Sequence, residues 1–177
     1  IQDILVANQV VGERKVARLV NLRRQADVAV AVDDLSNVEQ IGLAAQQAGV
    51  CVRLLIEVNS GMDRAGVDPG APTLALAHGI ADCQGVQFAG LMTWESPALR
   101  IIDRDAKRRA VAVALDPVID TAQQCRAAGL PVDIVSTGGT GTYWVSAFHP
   151  GVSEIQAGGG VFSDLTYRRQ YGLDLPW

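Results

Sequence analysis

Six short runs dominated by apolar residues recur along the chain: DILVAN, DVAVAVD, CVRLLIEV, VQFAGLM, VDIVS and SEIQAG. A strand apolar at successive positions buries both of its faces, as parallel strands covered by helices do. Helical stretches lie between the runs. ERKVARLVNLRRQ carries Val16, Leu19, Val20 and Arg23 at helical spacing. Ser36 and Glu39 form a capping box that opens a second helix running to Gly49. A third helix is expected near Pro72 to Cys83, and a long one over residues 103–128, closed by Gly129 and Pro131. Pro117 is expected to kink or split that last helix. Strands alternating with helices give an α/β fold. Two architectures fit, an open doubly wound sheet or part of an eight-stranded barrel. The polar residues suited to a site follow strand after strand: Asn8, Gln9, Asp33, Arg64, Trp94, Glu95, Thr140 and Gly158. An open sheet concentrates its site at one switch point, whereas a barrel collects residues from the ends of many strands. The expectation is therefore a partial TIM-type (β/α)8 barrel with about six of its eight strands, forming one incomplete domain over residues 1–177.

Composition narrows the partners. Apolar residues make up 49% and charged residues 19% of 177, so the chain folds. A net charge of −4 without a basic run points away from nucleic acid. No apolar stretch has the roughly 20 residues that cross a bilayer, so no membrane partner is expected. Three scattered cysteines, Cys51, Cys83 and Cys125, suggest neither a disulfide framework nor a metal pair and fit a reducing cytoplasm. His78, on a helix, and His149, before Pro150, lack a metal-ligating partner at useful spacing and read as structural. The chain starts almost in a strand and ends at LDLPW shortly after one, so it reads as part of a longer protein.

Three stretches carry chemistry. STGGTGTY, residues 136–143, follows a strand directly. Its backbone N–H groups can form an anion nest, to which the hydroxyls of Ser136, Thr137, Thr140 and Thr142 add donors. Phosphate is the expected anion; a glycine-rich turn without a ligand is the competing reading. EVNSGMDRAGV, residues 57–67, holds Arg64 in a tight turn, where it either meets a ligand ring or pairs with Asp63 or Asp68 on the surface. GLMTWES, residues 90–96, places Trp94 and Glu95 at a strand end, either flanking a ligand or serving as a core Trp and a solvated Glu.

Together DILVANQVV, IEVNSGMDRAGV, GTGTY and EIQAGGGVFSD resemble, in order and spacing, the D-threonine aldolase and D-serine dehydratase group of alanine-racemase-like barrels. GLMTWES and the GGG before VFSD look closest to its 3-hydroxy-D-aspartate aldolase branch. The resemblance implies pyridoxal 5'-phosphate as cofactor, a small D-amino acid with a β-hydroxyl as substrate, a divalent metal in the full-length protein, and a homodimer. It implies that Gly138, Gly139, Thr140, Gly141 and Thr142 hold the cofactor phosphate, with Tyr143 nearby. It also implies that Arg64 meets the pyridine ring system and that Gln9 lines the cofactor pocket. Trp94 and Glu95 fall at candidate catalytic positions where that group often has Tyr followed by His or Glu, and Gly160 stands where many members carry Tyr.

The resemblance also implies what this stretch lacks. The Schiff-base lysine of that group precedes DILVANQVV, and its metal ligands lie in a C-terminal β domain. Of the two lysines here, Lys15 falls on a predicted helix and Lys107 in DRDAKRRA, which reads as a solvated helix face. The function implied is that of a metal-assisted lyase acting on β-hydroxy-D-amino acids, inactive as this stretch alone. A racemase of the same barrel and a non-catalytic pyridoxal-phosphate carrier barrel are the alternatives.

Overall fold

The computed structural model describes residues 1–161 and 165–172. The expectations placed on Phe162, Ser163 and Asp164 lie outside the described residues. Six strands, β1 (Asp3–Gln9), β2 (Asp27–Val32), β3 (Val52–Glu57), β4 (Val86–Met92), β5 (Ile134–Thr137) and β6 (Glu154–Ile155), form one sheet in chain order. Every neighbouring pair is parallel. This order decides between the two architectures. A doubly wound sheet reverses its strand order at a switch point, whereas right-handed crossovers between successive neighbours put every helix on one face. The molecule is a half-barrel, helices outside.

Four helices cover the outer face: α1 (Glu13–Arg23), α2 (Leu35–Gln47), α3 (Ala71–Asp82) and α4 (Arg104–Ala127). Val28, Val30, Val32, Leu54 and Ile56 point outward into one core with Val16 and Leu19 of α1, Ile41 of α2, Ile80 of α3 and Val118 of α4. Each fully buried Val, Leu or Ile contributes roughly 1.5–3 kcal/mol relative to exposure. The inner face carries three alanines, Ala29, Ala31 and Ala89, with Leu55 and Met92. The alanines leave room inside the curve of the sheet.

Three local expectations are corrected. Helix α2 is capped by Asp34, whose carboxylate accepts from Ser36 N at 2.9 Å and Asn37 N at 3.2 Å, and not by a Ser36–Glu39 box. A charged acceptor at the positive helix end outcompetes a serine hydroxyl, and here the Ser36 hydroxyl itself donates to Asp34. Helix α4 is not split at Pro117; one helix runs from Arg104 to Ala127. The proline lies on the exposed side beside Val113 and Asp116, where the carbonyl it frees can be hydrated. Two further short helices, α5 (Tyr143–Ser146) and α6 (Leu165–Tyr171), were not foreseen. Among the described residues no helix is long and apolar enough to cross a membrane.

Candidate active site

The carboxyl ends of the strands frame a pocket of about 290 Å³. Its walls include Ala7 of β1, Glu57 of β3, Met92 and Trp94 at the end of β4, Thr137 of β5, and Gly158 and Gly159 after β6. Arg64 from the turn after β3 and Tyr167 of α6 complete the rim.

The turn holding Arg64 is organised by Asn59. Its side-chain oxygen accepts from Gly61 N at 3.0 Å and Asp63 N at 3.2 Å, and its amide donates to Asp63 Oδ1 at 2.8 Å. The guanidinium carbon of Arg64 lies 5.4 Å from the centroid of the Trp94 ring, within cation–π range. Arg64 makes no ion pair with Asp63 or Asp68, so the surface-pair reading does not describe it. Charge and aromatic face together form one wall of the pocket.

The adjoining wall is the loop after β5. Within it Thr142 N and Tyr143 N both fold back onto Gly139 O at 2.9 Å. The N–H groups of Gly139, Thr140 and Gly141 donate to no acceptor among the described residues. Close packing requires a glycine in this loop and another in the loop after β6. A Cβ on Gly139 would meet Trp94 Nε1 at 2.6 Å, and one on Gly159 would meet Thr140 Oγ1 at 2.7 Å. Gly159 N donates to Thr140 Oγ1 at 2.8 Å, which ties the loop after β6 to the loop after β5. Thr137 is fully buried and lines the pocket, yet its hydroxyl has no partner among the described residues. A buried hydroxyl left unpaired costs about 1–3 kcal/mol, and an acceptor placed in the pocket beside Gly139 and Thr140 would relieve that cost.

A third feature sits at the β1–β3 side of the mouth. Gln9 Nε2 donates to Glu57 Oε2 at 2.5 Å and to Asp33 Oδ2 at 3.3 Å. Asp33 Oδ2 also accepts from Gly66 N at 3.0 Å. One amide thus holds two carboxylates apart and fixes the turn behind Arg64. Among the described residues no group of three or more His, Cys, Asp or Glu is arranged to hold a metal ion.

A family model described as "Alanine racemase, N-terminal domain" matches residues 2–165. The chain belongs to the alanine racemase N-terminal domain family. A D-threonine aldolase from Arthrobacter sp is 36% identical over 167 residues, covering 94% of this chain and 44% of the relative. A 3-hydroxy-D-aspartate aldolase from Paracoccus denitrificans (strain Pd 1222) is 29% identical over 170 residues, covering 96% and 44%. Among solved structures, a D-threonine aldolase from Filomicrobium marinum superposes with a TM-score of 0.89 at 31% identity, over 96% of this chain and 46% of that one. The chain spans under half the length of these relatives.

Within this alanine-racemase-type half-barrel the expected site residues part company. Arg64, Trp94, Gly139 and Thr140 line the pocket. Gln9 does not; it reaches the pocket only through Glu57. Gly138, Gly141 and Thr142 are buried behind the loop surface, and Tyr143 is 41% exposed at the head of α5, away from the pocket lining. Glu95 is neither solvated nor pocket-lining: it is fully buried, accepting from Gly138 N at 3.2 Å, from Thr142 Oγ1 at 3.4 Å and from the Ser146 hydroxyl. It holds the loop from behind. Lys107 is not on a solvated face either; it is 2% exposed, with its ammonium donating to Leu99 O at 3.2 Å and Gly141 O at 3.4 Å. Burial pushes its pKa below the ordinary lysine value. Lys15 is exposed on α1. His78 is exposed on α3, and His149 bridges Asp116 Oδ1 and Pro150 O, both at 3.1 Å. Tyr167, Thr93 and Gln156 line the pocket unforeseen. For Tyr167 no nearby strand or glycine signalled it.

Proposed function

We propose that the chain forms the cofactor-phosphate side of a pyridoxal-phosphate-dependent lyase of the aldolase type, cleaving β-hydroxy-D-amino acids such as D-threonine or 3-hydroxy-D-aspartate. The observation that carries this reading is the Thr137 hydroxyl and the N–H groups of Gly139 and Thr140, which line one pocket and have no partner among the described residues. A phosphate monoester offers several strong acceptor oxygens, which is what this donor set lacks. Gly139, Thr140, Thr137 and Gly159 would hold the phosphate, Gly138, Gly141 and Thr142 would shape the loop, and Arg64 with Trp94 would flank the ring. Glu57, steadied by Gln9, faces the same space and would orient a donor on ring or substrate. When bound, the cofactor supplies an electron sink for charge developing at the substrate's Cα.

The named relatives support the substrate class, since D-threonine and 3-hydroxy-D-aspartate share the D configuration and a β-hydroxyl. The cofactor-bearing amine and a divalent metal are read as supplied from outside these residues. Lys15 faces solvent on α1, and Lys107 is spent on two backbone carbonyls behind the loop. The test is glycine release by the intact protein with pyridoxal phosphate and a divalent metal. D-threonine or 3-hydroxy-D-aspartate should yield glycine and the L-enantiomers should not; no release from either D-amino acid would overturn the reading.

A further inference from the structure

Lys107 sits where an apolar residue is expected. It shares the buried stripe of α4 with Val111, Ala114, Leu115 and Val118, at spacings of four, seven, eight and eleven. A buried ammonium is costly unless its protons are bonded. No carboxylate lies within ion-pair reach of it among the described residues. Its acceptors are two backbone carbonyls, and both belong to segments that build the pocket. Leu99 follows the turn that presents Trp94, and Gly141 lies in the glycine loop. The ammonium therefore links the end of β4 to the loop after β5. Glu95 grips the same loop at Gly138, Thr142 and Ser146. The loop is thus held between a buried carboxylate and a buried ammonium, with its free N–H groups left for the pocket.

We propose that Lys107 is a positioning residue for the cofactor phosphate, pinning the Gly141 carbonyl and placing a buried positive charge behind the N–H nest. The inference rests on the phosphate reading of the loop. A charge in the protein interior is screened by salt far less than a surface one, so it favours a dianion in front of the loop even though it never touches it. It also offsets the Glu95 carboxylate, which alone would oppose that dianion.

The experiment compares pyridoxal phosphate with pyridoxal, which lacks only the phosphate, as ligands of the intact protein. Affinities are read by absorbance for the wild type, Lys107→Met and Lys107→Gln. The methionine variant removes charge and donor; the glutamine variant keeps a donor and carries the test if the methionine variant does not fold. The wild type should prefer pyridoxal phosphate, and each folded variant should lose about tenfold of that preference with pyridoxal affinity unchanged. Variants that retain the full preference overturn the role of Lys107 and leave the loop reading standing. Variants that weaken both ligands equally show general structural damage and overturn it too. A wild type that does not discriminate the two ligands overturns the loop reading and this inference together.

Discussion

The two sides of the pocket mouth are built on opposite principles. On the β1–β3 side, side chains carry the chemistry: Asp33 and Glu57 project carboxylates, and Gln9 spans them. On the β4–β6 side the backbone carries it, with N–H groups from a glycine loop, two threonine hydroxyls and buried charges behind them. Acceptors gather on one side and donors on the other. A ligand that fits both is therefore polarised, anionic where it meets the loop and able to donate a proton or a hydrogen bond where it meets Glu57. Arg64 and Trp94 stand between the two sides and suit a flat ring.

The sharpest way to probe this division is to ask whether either side contains the reacting amine. Neither does, so residues 1–177 alone should show no cleavage of β-hydroxy-D-amino acids. Reduction with borohydride in the presence of pyridoxal phosphate should label no single lysine stoichiometrically. Peptide mapping checks this, and stoichiometric labelling of Lys15 or Lys107 would break the comparison.

Next in size is the residue between the sides. Arg64→Ala in the intact protein should lower kcat by at least about tenfold, since a charged donor is lost from the ring wall. Arg64 is exposed and pairs with no carboxylate among the described residues, so the melting curve should stay within the small range usual for surface substitutions. Normal turnover would return Arg64 to a surface role. Thr140→Val tests the donor side directly. It removes the acceptor for Gly159 N and a hydroxyl from the pocket wall. Cofactor affinity should fall by roughly three- to tenfold, the scale of one hydrogen bond. Equilibrium dialysis with pyridoxal phosphate measures it, and unchanged affinity would mean that the loop does not bind phosphate.

The strand order and the outer core were readable because continuous apolar runs and helical stripes are local patterns, as in DVAVAVD and in Val16, Leu19 and Val20. The glycine loop was readable for the same reason. What escaped was set by tertiary register. DRDAKRRA is charged at nearly every position, and only the spacing of Lys107 to Val111 and Val118 tells which charge turns inward. Glu95 follows Trp94 directly, yet consecutive residues at a strand end face opposite ways, so one meets the pocket and the other the back of the loop. Tyr167 enters from a helix that no pattern announced, and the Thr137 hydroxyl stands out by having no partner among the described residues, which no sequence displays.

The smallest expected effect separates two adjacent acids at the end of β2. Asp33 turns toward Gln9 and Gly66, whereas Asp34 turns back to cap α2. The Ser36 hydroxyl and the Asn37 N–H, bonding the ionised form, hold the Asp34 carboxyl below its ordinary value. A depressed carboxylate stabilises the fold above its unfolded pKa, and that contribution disappears as pH falls through the lower folded value. Asp34 is fully solvated, so the effect is slight and confined to strongly acidic pH. A carbon-detected NMR titration should show Asp34 protonating below the ordinary aspartate range. In Ser36→Ala the midpoint should rise toward that range, because the largest contribution to the shift is gone, while cofactor binding stays unchanged. A Ser36→Ala midpoint equal to wild type would mean that the cap is held by backbone N–H groups alone. Altered cofactor affinity in the same variant would mean that the acidic side of the mouth extends one residue further than the geometry places it.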